Sequence, residues 1–132
     1  MDARRPLVLI CDDEPALREL IRVTLGDGYR YDEAATVSES VEAARREPPD
    51  IVILDLMLPG GSGLDVLRKM RADAALVHAT VVVVSAWSDE GNQSAARRDG
   101  ADAFVAKPFT PERLVAQVEE LMGPPRSLQV EP

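Results

Sequence analysis

Three acids, a hydroxyl and a lysine stand at separate points of this chain where they could act together on one anionic group. They are the adjacent pair Asp12-Asp13, then Asp55, Ser85 and Lys107. Asp55 closes the run Asp50-Ile51-Val52-Ile53-Leu54-Asp55 and is followed by a turn through Pro59, Gly60, Gly61 and Gly63. Open α/β sheets set working residues in this way, at the carboxyl end of a buried strand with a loop just beyond. Asp55 is therefore the leading candidate for the reacting group. Brought to one rim, the acids repel: two unit charges ~4 Å apart cost on the order of 4 kcal/mol at an effective dielectric of ~20. Lys107 offsets part of this. A hard divalent cation held by carboxylates, a backbone carbonyl and waters offsets the rest, and Mg²⁺ suits such a set because it keeps its waters; Mn²⁺ favours the same oxygen donors. A carboxylate nucleophile beside that cation can accept a phosphoryl group, with Lys107 pairing to the phosphoryl oxygens and Ser85 donating a hydrogen bond.

The elements that must position these groups follow from short apolar runs alternating with amphipathic stretches. Leu7-Val8-Leu9-Ile10-Cys11 reads as a buried strand ending on Asp12-Asp13. Glu14-Pro15 opens a helix, with Pro and acid suited to its first turn and Leu17, Leu20, Ile21 and Thr24 on one face. Gly26-Asp27-Gly28 stops it, and Tyr29–Ala34 is a weak alternating strand suited to an edge. Thr36 with Glu39 predicts a capping box for a helix over about Val37–Arg46. After the Asp55 turn, Gly63, Val66, Leu67 and Met70 form the stripe of a helix ending near Asp73. Thr80-Val81-Val82-Val83-Val84-Ser85 is the most emphatic buried strand. The helix from about Asp89 to Arg98 has only Ala95 and Ala96 as apolar content and should pack lightly. Asp102–Ala106 is the fifth strand and leads to Lys107-Pro108-Phe109. Thr110-Pro111-Glu112 starts the last helix, whose apolar stripe is Leu114, Val115, Val118, Leu121 and Met122. Five strands joined by helical crossovers predict one doubly wound parallel sheet with helices on both faces.

Composition narrows the function further. At 132 residues the chain makes one domain over residues 1–123, with 124–132 read as a linker or tail. A net charge of −8 argues against direct binding of nucleic acid or an anionic membrane. No apolar run approaches the ~18 residues of a membrane span. Cys11 is the only cysteine, so no intrachain disulfide can form, and its place in a strand makes it packing rather than a reactive thiol; a cytoplasmic setting fits. His78 falls in a loop. The glycines at 60, 61 and 63 lack the lysine of a nucleotide-binding P-loop.

The acid pair, Asp55 with Pro59 and Gly63, Ser85-Ala86, and Lys107-Pro108-Phe109, in that order, resemble the receiver domain of two-component response regulators, a CheY-like fold, over about Leu7–Met122. The resemblance implies a flavodoxin-like (βα)5 sheet of strand order 2-1-3-4-5. It also implies that Asp55 accepts phosphate from a phosphohistidine on a sensor histidine kinase or histidine phosphotransfer protein. Asp13, Asp55 and the Met57 carbonyl would hold Mg²⁺ (or Mn²⁺), with Asp12 assisting through water. Ser85 and Lys107 would read the phosphoryl group, and Phe104, lacking a phenolic hydroxyl, would be the aromatic switch position. Met57 and Trp87, each two residues past a site residue, would shield the phosphoryl group from water. The surface from the fourth helix to the last would then meet a downstream partner, an output domain or a second copy. Two other readings stay open at this point: a Mg²⁺-dependent phosphatase using an Asp nucleophile, which the apolar Met57 disfavours, and a pseudo-receiver that only binds.

Overall fold

Each apolar run becomes a strand and each amphipathic stretch a helix in the computed structural model, which describes residues 5–123. The first half runs β1 (Leu7–Cys11), α1 (Pro15–Leu25), β2 (Arg30–Ala34), α2 (Val37–Arg46) and β3 (Ile51–Leu54). The second half runs α3 (Gly63–Arg71), β4 (Thr80–Ser85), α4 (Glu90–Arg98), β5 (Ala103–Ala106) and α5 (Pro111–Met122). The strands form one parallel sheet in the order β2-β1-β3-β4-β5. The sparse strand β2 sits at an edge, where fewer apolar side chains are needed.

Strand alternation sends successive side chains to opposite faces and so builds two cores. Leu9, Val52, Leu54, Val81, Val83 and Phe104 pack with α2, α3 and Ala96 of α4. Val8, Ile10, Ile51, Ile53, Val82 and Val105 pack with Ile21 and Leu25 of α1 and with Leu114 and Val118 of α5. Ala96 is the only fully buried residue of α4, in keeping with its thin apolar content. Within α5 only Leu114 and Val118 are buried, while Val115, Leu121 and Met122 pack half-exposed at the margin.

Four local expectations are corrected. Leu20 is 45% exposed, because α1 meets the sheet along Ile21 and Leu25 and turns Leu20 outward. Glu14 is the N-cap of α1 but its side chain caps nothing; the backbone N–H of Glu14 is instead taken by Asp12 Oδ1 at 2.9 Å. The Thr36 hydroxyl does accept from Glu39 N–H, but the Glu39 carboxylate reaches past the cap to the N–H of Ala35. Helix α3 ends at Arg71 rather than near Asp73. The expected tail, 124–132, lies outside the described residues.

One glycine is required by close packing. A Cβ on Gly63 would overlap the Asp55 carbonyl oxygen and stand 2.8 Å from Leu56 Cα. The first turn of α3 therefore lies directly against the segment that carries Asp55, and Gly63 N–H bonds Leu56 O at 2.9 Å.

Candidate functional site

Parallel pairing brings Cys11 beside Leu54 and Ser85 beside Ala106, so the residues that follow emerge at one rim. The ladder continues one step past the strands. Asp12 N–H bonds Ala34 O, Asp55 N–H bonds Cys11 O, and Lys107 N–H bonds Ser85 O, each at 3.0 Å. The backbones of all three site residues are thus fixed before any side chain interacts.

Lys107 Nζ then bridges the two acids, 2.9 Å from Asp12 Oδ2 and 2.8 Å from Asp55 Oδ2. Each carboxylate has its second oxygen held by a backbone donor: Glu14 N–H on Asp12 Oδ1 at 2.9 Å and Met57 N–H on Asp55 Oδ1 at 3.0 Å. Both acids are buried, at 3% and 4% exposure. Burial pushes the Asp12 carboxyl above the usual aspartate value, against the pull of Lys107 and the Glu14 N–H. Burial works against the Lys107 ammonium too, but its hydrogen bonds to Asp12 and Asp55 outweigh that and hold its pKa above the ordinary lysine value. A desolvated acid pair is thereby kept together by one cation.

The remaining expected residues are placed as follows. Asp13 is exposed and makes no hydrogen bond or ion pair among the described residues. Ser85 is fully buried, and its Oγ accepts from Trp87 N–H at 3.1 Å; it makes no side-chain bond to Asp12, Asp55 or Lys107. Its own hydroxyl hydrogen remains free to donate. Phe104 is packed inward at 8% exposure. Met57 and Trp87 stand 40% and 46% exposed. His78 is exposed and Cys11 fully buried, with its thiol pushed up to about 12 by burial.

Among the described residues, no three His, Cys, Asp or Glu side chains are grouped tightly enough to cage a metal ion. The donor set is nonetheless the kind that Mg²⁺ takes. Asp12, Asp13 and Asp55 with Lys107 leave two negative charges uncompensated, all donors are hard oxygens, and Asp13 has no competing partner among the described residues. Mg²⁺ dehydrates reluctantly and is held by one or two carboxylates plus waters, so a full cage of side chains is not needed.

Residues 8–119 match the family model of the response regulator receiver domain. The chain belongs to that family. The receiver is 40% identical over 119 residues to the DNA-binding response regulator MtrA of Mycolicibacterium smegmatis, covering 89% of this chain and 51% of that one. It is 34% identical over 116 residues to the phosphate regulon transcriptional regulatory protein PhoB of Pseudomonas aeruginosa, covering 87% and 51%. The chain thus spans about half the length of the curated relatives it matches. A putative response regulator of Chloroflexus aurantiacus superposes with a TM-score of 0.83 at 28% identity, over 89% of this receiver and 98% of that chain. The CheY-like receiver domain protein of Methanospirillum hungatei gives 0.82 at 25%, over 89% and 93%. This is a receiver domain of two-component signalling, with the CheY-like fold expected from its motifs. No helix among the described residues is long and apolar enough to cross a membrane.

Sequence reasoning missed Arg18, whose Nη1 donates to the Asp12 carbonyl at 2.6 Å. A side chain that returns to a backbone oxygen six residues earlier leaves no pattern in residue type. It also missed the capping box of Ser62 and Asp65, which the Ser-x-x-Asp spacing before Val66 and Leu67 could have signalled.

Proposed function

We propose that this receiver accepts a phosphoryl group on Asp55 from a phosphohistidine and uses the modified rim to change its affinity for a partner. The observation that carries the reading is the Lys107 ammonium held between Asp12 and Asp55. A lysine in that position can stay paired when a phosphoryl group replaces one carboxylate oxygen contact by another anionic oxygen. In the transfer, Asp55 Oδ forms the new O–P bond as the donor nitrogen–phosphorus bond breaks, and the imidazole keeps the electron pair. Asp13, Asp55 and the Met57 carbonyl, with Asp12 through water, would hold Mg²⁺ (or Mn²⁺), which neutralises charge on the phosphoryl oxygens when bound. Lys107 orients those oxygens, and Ser85 turns its hydroxyl hydrogen toward them. Met57 and Trp87 cover the mouth of the site and limit access of water. Phe104 on β5 shares its core with Ala96 of α4, so repacking of that ring is a route to the α4-β5-α5 surface.

A macromolecular phosphodonor is favoured over a purely small one by the shape beside Lys107. An apolar groove lined by Leu17, Leu20, Ala86, Pro108 and Phe109 opens there, which gives the outward Leu20 a use. The sensor kinase or phosphotransfer protein would seat there, and the downstream partner, output domain or second copy on the α4-β5-α5 face. We place residues 1–123 in the receiver and 124–132 in a linker, and assign the cytoplasm as its setting. With a charge of −8, nucleic-acid binding would belong to a partner or an output domain.

The test is incubation with Mg²⁺ and acetyl phosphate, read by intact-protein mass. One phosphoryl group per chain, absent in Asp55→Asn, is the expected result. Repeated turnover of unrelated phosphate esters would make the protein a phosphatase, and no adduct would make it a pseudo-receiver.

A further inference from the structure

Arg18 lies on α1, beyond the acid pair, and its side chain folds back toward the rim. Nη1 donates to the Asp12 carbonyl oxygen at 2.6 Å and Nε to Glu33 Oε1 on β2 at 2.8 Å. The side chain is 16% exposed. Glu33 also takes Arg22 through its other oxygen at 3.3 Å. The Asp12 N–H is held in turn by Ala34 O, the last residue of β2. Asp12 is therefore gripped on both of its backbone polar groups, once by the sheet and once by Arg18. The carbonyl that Arg18 holds belongs to the peptide linking Asp12 to Asp13. Asp13 itself has no side-chain bond among the described residues, so the direction of its carboxylate depends on how that peptide is set.

We infer that Arg18 is a positioning residue for the cation: it fixes the Asp12–Asp13 peptide and thereby presents the Asp13 carboxylate to Mg²⁺. This rests on the reading that Mg²⁺ binds at the rim. Two features separate it from an ordinary helix-to-strand staple. The pair with Glu33 uses only Nε, and a partly exposed ion pair of that kind is worth up to about 1 kcal/mol. The second donor is spent on the one carbonyl between the two acids. A planar guanidinium reaches the two acceptors from separate nitrogens, Nη1 and Nε, whereas an ammonium must offer its donors from a single point.

The sign of the effect distinguishes positioning from charge. Arg18 is a cation near an acidic site, so through-space repulsion alone would make its removal tighten Mg²⁺ binding. Positioning requires the opposite. Partners that orient metal ligands typically give about 10- to 100-fold losses in metal affinity when removed, and Arg18 acts on a ligand's backbone, so the lower figure applies.

The experiment is Mg²⁺ titration by calorimetry on the wild-type protein, Arg18→Ala and Arg18→Lys, with urea unfolding run in parallel. Arg18→Ala should weaken Mg²⁺ about tenfold, and Arg18→Lys should recover part of the loss. With acetyl phosphate as donor, Arg18→Ala should need more Mg²⁺ for half-maximal phosphorylation while keeping its limiting rate. If Arg18→Ala does not fold, the same readouts are taken from Arg18→Lys, which should fall short of wild type. Unchanged or tighter Mg²⁺ binding by the folded variants, or a stability loss with no change in affinity, overturns the inference. No Mg²⁺ binding by the wild type would instead overturn the proposed function beneath it.

Discussion

Replacing Lys107 by Met removes the ammonium that is bonded to both buried acids. Nζ stands 2.9 and 2.8 Å from the two carboxylate oxygens, so those oxygens are at most about 6 Å apart. At an effective dielectric of ~20 their repulsion across that gap is about 3 kcal/mol. This agrees with the roughly 3–5 kcal/mol lost when one partner leaves a buried ion pair. Lys107→Met should therefore lower the unfolding free energy by about 3 kcal/mol at neutral pH in EDTA, a large share of the roughly 5–15 kcal/mol that holds a domain folded. The pH dependence has a definite sign. Asp12 is already raised by burial, and Lys107 is among the groups pulling it down; without Lys107 it rises further. A raised folded value makes protonated Asp12 stabilising below the unfolded aspartate value of about 3.9, and that contribution is lost as pH rises through the folded value. The deficit against wild type should thus shrink as pH falls from neutral toward that value. Urea unfolding with linear extrapolation reads both effects, and saturating Mg²⁺ should restore part of the loss. A variant as stable as wild type, with no relative pH dependence, would refute the electrostatic picture of the rim.

Four further outcomes follow from single contacts. Gly63→Ala places a methyl group against the Asp55 carbonyl and should cost about 1–3 kcal/mol, read by urea midpoint; a neutral effect would mean the α3 start yields freely. Exchanging exposed Met57 and Trp87 for small polar residues should shorten the phosphoryl lifetime, measured by decay of the adduct after the donor is removed, and an unchanged decay would dismiss the shielding role. Tyr29 Oη is buried without a hydrogen-bond partner among the described residues, so Tyr29→Phe should be neutral or stabilising by up to about 1 kcal/mol in the same unfolding assay. Cys11 rises from 9.0 to about 12 on burial; its contribution to stability is intact below pH 9 and declines above it by about 1.4 kcal/mol per pH unit. Thiol reagents should accordingly modify Cys11 only through unfolding.

The meeting of the rim residues was legible because each is written directly after an apolar run. Asp12, Asp55 and Lys107 each directly follow a strand, and a parallel sheet has one carboxyl edge, so their meeting required only topology. The two cores were legible for the same reason, as unbroken aliphatic runs have no polar face to leave in water. What stayed hidden depends on side chains reaching across the fold. Arg71 donates to the carbonyls of Val77, Ala79 and Gly100 and to Asp102, tying two turns together through a residue that reads as an ordinary helix-end cation. Arg18 is hidden in the same way. Leu20 misled because its spacing from Leu17 and Ile21 suits a wide apolar stripe, whereas α1 buries a narrow one. The three acids were legible as hard-oxygen donors but not as a tight group, since Asp13 is exposed and its side chain bonds nothing among the described residues.

Of the three acids at the rim, Asp55 is the one proposed to carry phosphate. Trapping the phosphorylated protein with borohydride converts an acyl phosphate to an alcohol and marks its position for peptide mass mapping. Reduction at residue 55 alone, abolished when Mg²⁺ is chelated before the donor is added, is the expected result. Reduction at residue 12 or 13, or none on a protein that has bound Mg²⁺, would contradict it.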